Sequence, residues 1–230
     1  MITRQSHTQS PAQPKHEFSR GCYHNTIAQN RWLFGIWLLI LSMHGSITLA
    51  VNITPNGNIG AAAYGPDGTL YIGGGFTSIG GVSRNHLAAI KPDLTLSDWN
   101  PGANDHINAL AVSGDTVYIG GNFTQVSGTG RDYLAAVGTD GNLKSWNPGA
   151  GSSVLALAVN DATVYVGGLF TTLGGQSRNY LAAVGIDGSL SAWDPSLENS
   201  VNVLAISEGK LFVGGGIYCC WRHHSRSMRI

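Results

Sequence analysis

Between residues 51 and 216 the chain has no cysteine, two histidines (His86 and His106) and two glutamates (Glu198 and Glu208). The same stretch holds only six basic residues, Arg84, Lys91, Arg131, Lys144, Arg178 and Lys210, against twelve acids, a net charge of −6. Each shortage excludes something. Without cysteine, whatever folds there is held without disulfides. Binding to a phosphate backbone needs clustered Lys and Arg, so nucleic acid is not an expected partner. Catalysis has little to draw on, because no Ser-His-Asp order, paired carboxylates or phosphate loop is present. No sustained helical period occurs after residue 51, which removes bundles and α/β folds.

What is present is repetition. Leu70-Tyr71-Ile72-Gly73-Gly74 returns as Val117-Tyr118-Ile119-Gly120-Gly121 and as Val164-Tyr165-Val166-Gly167-Gly168, each 47 residues on. A fourth copy opens at Leu211-Phe212-Val213-Gly214-Gly215. Phe76, Phe123 and Phe170 keep the period, as do Arg84, Arg131 and Arg178, and Trp99, Trp146 and Trp193. A period of about 40–50 residues built from short strands predicts a propeller rather than a helical array.

Each unit carries four strand signals, in the second interval Ile107–Val112, Thr116–Gly121, Tyr133–Gly138 and Leu143–Trp146. Asp140-Gly141 and Asp187-Gly188 lie between strand signals and suit type I′ hairpins. Asn100-Pro101 and Asn147-Pro148 close the fourth strand, since Pro lacks the N–H that would extend a ladder. The small residues Ala61–Ala63, Ala109, Ala111, Ala156 and Ala158 fit a first strand crowded near an axis. Leu87-Ala88-Ala89, Leu134-Ala135-Ala136 and Leu181-Ala182-Ala183 are expected to pack between blades. The fold class is therefore all-β, an incomplete β-propeller of about three and a half four-stranded blades. Its units span 70–116, 117–163 and 164–210 within a region 51–216, with a partial unit at each end.

Tyr-x-Gly-Gly-x-Phe-Thr, then Gly-Gly-x-x-Arg-x-x-Leu-Ala, an Asp-Gly turn and Trp-x-Pro resemble the Delta-60 repeat family of β-propellers over roughly residues 53–216. The resemblance implies a multi-bladed propeller on large secreted or surface proteins, mostly without an assigned activity. It carries no catalytic residues.

The two ends differ from the repeats. Arg4, Lys15, Arg20 and Arg31 precede the apolar run Trp32–Met43 and the small-residue site Thr48-Leu49-Ala50, the pattern of a secretory signal over residues 1–50. Residues 32–51 are also long enough to anchor the chain in a bilayer; either topology places the repeats at the cell surface or in the secreted fraction. At the other end, Ile217-Tyr218-Cys219-Cys220-Trp221-Arg222-His223-His224-Ser225 breaks the pattern. Codons compatible with Ile217–Arg226, read one base later, spell F-T-A-V-G-G-I-T-R, whose arginine falls 47 residues after Arg178. Residues 217–230 thus read as an out-of-frame tail. Adjacent Cys219-Cys220 and His223-His224 on one strand cannot all face one ion, so no metal site is assigned to them.

A side chain present in every unit serves the unit. Arg84, Arg131 and Arg178 are expected to bridge strands, the competing reading being a ring for an acidic ligand. Trp99, Trp146 and Trp193 are expected to pack between sheets with the indole N–H on a backbone acceptor, the competing reading being sugar-stacking platforms. Phe76, Phe123 and Phe170 complete the repeat-structural set. One Asp per turn falls short of the oxygen ligands calcium takes. His86 occupies the slot of Tyr133 and Tyr180, and His106 lies in a variable loop. No catalytic residue, cofactor or metal is assigned. The expected role is a non-catalytic binding or surface-scaffolding module for a protein or glycan ligand, presented by Asn104–His106, Gly151–Ser153 and Glu198–Ser200. The alternatives are the platform of a larger extracellular enzyme and a carbohydrate-binding propeller. An incomplete ring also leaves open edges through which copies self-associate.

Overall fold

The computed structural model describes residues 53–216 and Met228–Arg229. The leader 1–50, the apolar run to Val51, and Cys219, Cys220, His223 and His224 lie outside the described residues. Among the described residues every regular element is a β-strand, and no helix is long and apolar enough to cross a membrane.

Among the described residues the strands group into four three-stranded antiparallel sheets and three short two-stranded pairs. The first joins β1 (Ile59–Tyr64), β2 (Leu70–Gly74) and, beyond the short pair β3 (Ser78–Ile79) and β4 (Val82–Ser83), β5 (Leu87–Ile90). The second joins β6 (Ile107–Ser113), β7 (Thr116–Gly121) and β10 (Leu134–Gly138), with β8 (Gln125–Val126) and β9 (Thr129–Gly130) as its satellite pair. The third joins β11 (Val154–Asn160), β12 (Thr163–Gly168) and β15 (Leu181–Gly185), with β13 (Thr172–Leu173) and β14 (Gln176–Ser177). In the fourth, β16 (Val201–Ser207) and β17 (Lys210–Gly215) are joined by β18 (Met228–Arg229).

Three expectations need correction. The fourth strand, Leu143–Trp146, is only the isolated bridge Val137↔Leu143. The segment leaves the ladder because the Lys144 carbonyl accepts from the Arg131 guanidinium and Pro148 follows closely. The third strand starts at Leu134, not Tyr133, because Tyr133 is left-handed (φ 61°). Its counterparts His86 (φ 65°) and Tyr180 (φ 64°) do the same. The Tyr133 N–H bonds Phe123 while its carbonyl accepts from Gly121, so this one residue turns the chain out of the satellite pair into the sheet.

The third correction concerns the Asp-Gly turns. Gly141 and Gly188 have φ 89°, but Asp140 and Asp187 are not left-handed. These are type I turns with a glycine bulge, closed by Gly141 N–H to Gly138 and Gly138 N–H to Asn142. The aspartate accepts from the backbone two residues on, Asp140 from Asn142 and Asp187 from Ser189. The type I′ pair is instead Glu208-Gly209, left-handed at both positions (φ 50° and 66°).

The hairpin at Asp93 shares the bulged geometry but places Leu94 at the left-handed position, φ 66°. A left-handed non-glycine costs about 1–2 kcal/mol, and glycine adds about 0.5–1 kcal/mol of unfolded-state entropy. Leu94→Gly is therefore expected to stabilise the fold by roughly 0.5–1 kcal/mol, read as a higher urea midpoint. A lower midpoint would show that the Leu94 side chain contributes more than its backbone costs.

Packing occurs between successive sheets. Tyr71, Leu87 and Ala89 of the first face Val117, Ile119, Ala135 and Val137 of the second. Tyr118, Leu134 and Ala136 then face Val164, Val166, Ala182 and Val184 of the third. Tyr165, Leu181 and Ala183 face Val201 and Leu211 of the fourth. Alternate side chains along each strand thus serve opposite gaps, as a period of two requires. On the other side of the first sheet, Ile72, Ala88 and Ile90 are buried in a cluster with Phe76 and Ile79. The far side of the fourth is open: Phe212 is 52% exposed and Val203 61%.

One contact recurs in every gap. The first strand of each sheet has a bulge, between Ile107 and Ala109, Val154 and Ala156, and Val201 and Val203. The residue before the bulge seats on the first glycine of the preceding sheet's Gly-Gly pair. A Cβ on Gly73 would meet Ile107, one on Gly120 would meet Val154, and one on Gly167 would meet Val201. These three knobs are fully buried, a contribution of about 1.5–3 kcal/mol each. The pattern is open at both ends. Ile59, paired with Gly74 as Ile107 is with Gly121, is a half-exposed knob. Gly214 is a seat whose Cβ would find only Val203, at an ordinary 3.7 Å, among the described residues.

Candidate functional site

The residues repeated in every unit are consumed by the framework. Arg84 donates to the carbonyls of Ser83 and Ser97, Arg131 to those of Gly130 and Lys144, and Arg178 to those of Ser177 and Ser191. Each guanidinium therefore ties the satellite pair to the segment after the third strand. The Nε of all three is buried without a hydrogen-bond partner. Arg178 also lies 4.0 Å from Asp194.

Trp99 and Trp146 are each 5% exposed. Their indole N–H groups donate to the carbonyls of Gly138 and Gly185 in the next sheet, both at 2.8 Å. Each ring also meets a tyrosine edge-to-face, Tyr71 with Trp99 and Tyr118 with Trp146, at 5.0 Å. Trp193 has the tyrosine contact, with Tyr165 at 5.8 Å, but is half-buried and its N–H has no partner among the described residues. Phe76, Phe123 and Phe170 are fully buried.

The loops before each first strand are different. Asn56 and Asn104 anchor two of them: each side-chain oxygen accepts from two successive backbone N–H groups, Thr77 and Ser78, or Thr124 and Gln125. Beyond these anchors the residues vary from sheet to sheet: Asn58 and Asp105-His106, which are exposed, then Ser152-Ser153 and Asn199-Ser200, which are half-buried. The richest polar convergence is at the first of these edges. The rings of His86 and His106 lie 5.5 Å apart between centres, tilted with planes 34° apart. His86 Nδ1 bonds the Gly74 carbonyl at 2.9 Å, and His106 Nδ1 bonds Asp105 at 2.8 Å. Hydrogen bonds from the His106 side chain and backbone, with the two imidazoles nearby, hold the Asp105 carboxyl below its usual range. Nothing in a one-dimensional pattern brings position 86 to position 106. Among the described residues no group of three or more His, Cys, Asp and Glu is placed to hold a metal ion.

At the hairpin-turn edge, a cleft of about 410 Å³ lies between the first and second sheets, lined among others by Asp67, Lys91, Asp93 and Trp99. Its carboxylates are engaged locally. Asp67 accepts from Thr69, and Asp93 from Thr95.

Hydrogen bonds of this kind, from Thr69, Thr95, Asn142 and Ser189, hold Asp67, Asp93, Asp140 and Asp187 below the ordinary aspartate value of 3.8. A carboxyl whose folded value is depressed adds stability above the unfolded value and loses it as pH falls through the folded one. The urea midpoint is thus expected to hold level down to about pH 5 and to drop below 3.8. Replacing these four aspartates by asparagine keeps an acceptor for the turns and should flatten the acid limb. An unchanged limb would place the acid sensitivity elsewhere.

Residues 65–96, from the first hairpin turn through β5 and on to Leu96, match the family described as a domain of unknown function (DUF5122), beta-propeller. The all-β architecture agrees with that description. No curated protein matches the chain. Among solved structures, the computationally designed Ika4 protein is 16% identical over 72% of this chain and 91% of its own, with a TM-score of 0.49. The virginiamycin B lyase of Staphylococcus aureus is 13% identical over 67% of this chain and 48% of its own, TM-score 0.46. The designed Ika8 protein is 16% identical over 68% and 67%, TM-score 0.32.

Proposed function

We propose that the chain is an exported, non-catalytic β-propeller module that binds a protein or glycan ligand through the loops 104–106, 151–153 and 198–200. The observation that carries this reading is a division of labour. The recurring Arg, Trp and Phe residues are spent on carbonyls and packing, while the exposed and half-buried loop residues between them change from sheet to sheet. Rigid sheets carrying variable loops are the usual arrangement of a recognition surface. Burial of Trp99 and Trp146 weighs against a ring of sugar-stacking platforms.

The test is a screen of immobilised full-length chain against glycans and extracellular proteins. Replacing the three loops by Gly-Ser segments should abolish capture, while Trp193→Phe should leave it unchanged. Capture that survives loop replacement and disappears with Trp193→Phe would establish the sugar-stacking alternative instead.

On the same reading the 47-residue unit is one propeller blade of the Delta-60 type, and about three and a half are present. The open Gly214 seat and exposed Phe212 fit a sheet that another unit was meant to cover. A one-base insertion near the codon for residue 217 accounts for the tail. Resequencing about one kilobase from the Gly214 codon decides this: a shifted frame that continues the repeat supports the lesion, and one that closes at once removes it.

A further inference from the structure

We propose that His86, His106 and Asn58 form a binding site for an exchangeable divalent transition-metal ion, of the zinc, copper and nickel group, at the edge shared by the first two sheets. The hydrogen bonds decide which nitrogens are free. The partner of His86 Nδ1 is the Gly74 carbonyl, which only accepts, so Nδ1 carries the proton. The partner of His106 Nδ1 is the Asp105 carboxylate, which leaves that ring in the same tautomer. Both Nε2 atoms therefore present lone pairs, the form in which imidazole ligates metals. A carboxylate behind the distal nitrogen is also the arrangement that orients metal-bound histidines.

The spacing fits one shared ion. Two imidazoles bound at about 2.0–2.1 Å per nitrogen in an open tetrahedral arrangement have ring centres roughly 5–5.5 Å apart. Here they are 5.5 Å apart. Gly75 brings in the third donor. A Cβ there would collide with both Asn58 Oδ1 and His106 Nε2, so those two atoms converge over one bare Cα. Asn58 and His106 are exposed and His86 is half-buried, which leaves the site open to solvent.

The framework does not require these residues. Tyr133 and Tyr180 hold the slot of His86, Ser153 and Ser200 that of His106, and Asn122 and Leu169 that of Gly75. Those sheets fold with the same strands and the same left-handed residue. Two nitrogens and one amide oxygen fall short of the four ligands of a structural zinc site, so water completes the shell and the ion exchanges. Imidazole donors select zinc, copper or nickel over magnesium and calcium.

The experiment uses the full chain with C219S, C220S, H223N and H224N, which removes competing tail donors. Zinc alone is titrated while the imidazole ¹⁵N resonances are followed. One equivalent should move the Nε2 signals of His86 and His106 together, and magnesium should move neither. H86Y and H106S, the residues the chain itself uses at these slots, should each weaken binding at least tenfold while leaving the thermal midpoint without metal unchanged. D105N, acting through His106, should weaken it by about tenfold, the effect of losing a ligand-orienting carboxylate. Zinc in tenfold excess that leaves both signals in place would overturn the proposal. So would a His106 shift that persists unaltered in H86Y.

Discussion

Gly120→Ala is expected to destabilise the fold by about 2–3 kcal/mol, the cost of forcing one extra methyl into a close-packed gap. Backbone strain is not the cause, since Gly120 is not left-handed and alanine has access to its conformation. The cost is steric. The new Cβ would meet the Val154 side chain, which is fully buried and held at the bulge of β11. Gly214→Ala makes the same chemical change at the same place in the fourth sheet. There the Cβ meets only Val203 at contact distance among the described residues, so the change should be neutral or stabilising by up to about 0.5–1 kcal/mol through reduced freedom of the unfolded chain. Two identical substitutions are thus expected to differ by about 2 kcal/mol or more.

Denaturant titration of the two variants checks this, and Gly120→Ala combined with Val154→Ala sharpens it. Removing the knob makes room for the methyl, so the double variant should be less destabilised than the sum of the two single changes, a coupling of about 1 kcal/mol or more. Strict additivity would mean that the seat is not what Gly120 provides.

Trp146→Ala is the second large expectation, a loss of about 3–5 kcal/mol. The indole is nearly fully buried, meets Tyr118 edge-on and donates across the gap to Gly185. Trp193→Ala should cost less than half as much, because its ring is half-buried and its N–H crosses no gap among the described residues. Equal losses at the two positions would show that the tryptophan acts within its own sheet and not between sheets.

Much of this architecture was legible in the sequence, and the omissions have physical causes. Thr116–Gly121 was read to the residue because its strand is buried on both faces and bounded by turn chemistry. The satellite pairs were missed. Two-residue strands such as Gln125–Val126 and Thr129–Gly130 are too short to show alternation. Leu143–Trp146 was over-read for the opposite reason: its apolar residues suit a strand, but a guanidinium takes the carbonyl that a ladder would use. The Asp-Gly pairs did mark turns. Which of two hairpin geometries they adopt depends on the number of residues spanned, and the dipeptide does not reveal that. The pairing of His86 with His106 was invisible, because it depends on how two sheets stack.

The apolar interior of this molecule is divided among gaps and gathered at no single centre. A mutation in one gap leaves the others furnished, so damage is contained where it falls. Inheritance follows the same lines. Duplicating one unit in the gene would copy a knob, a seat, an indole and its acceptor together, and the new gap would be complete without a compensating change elsewhere. For a chain built this way, length is a quantity that selection can vary in whole steps.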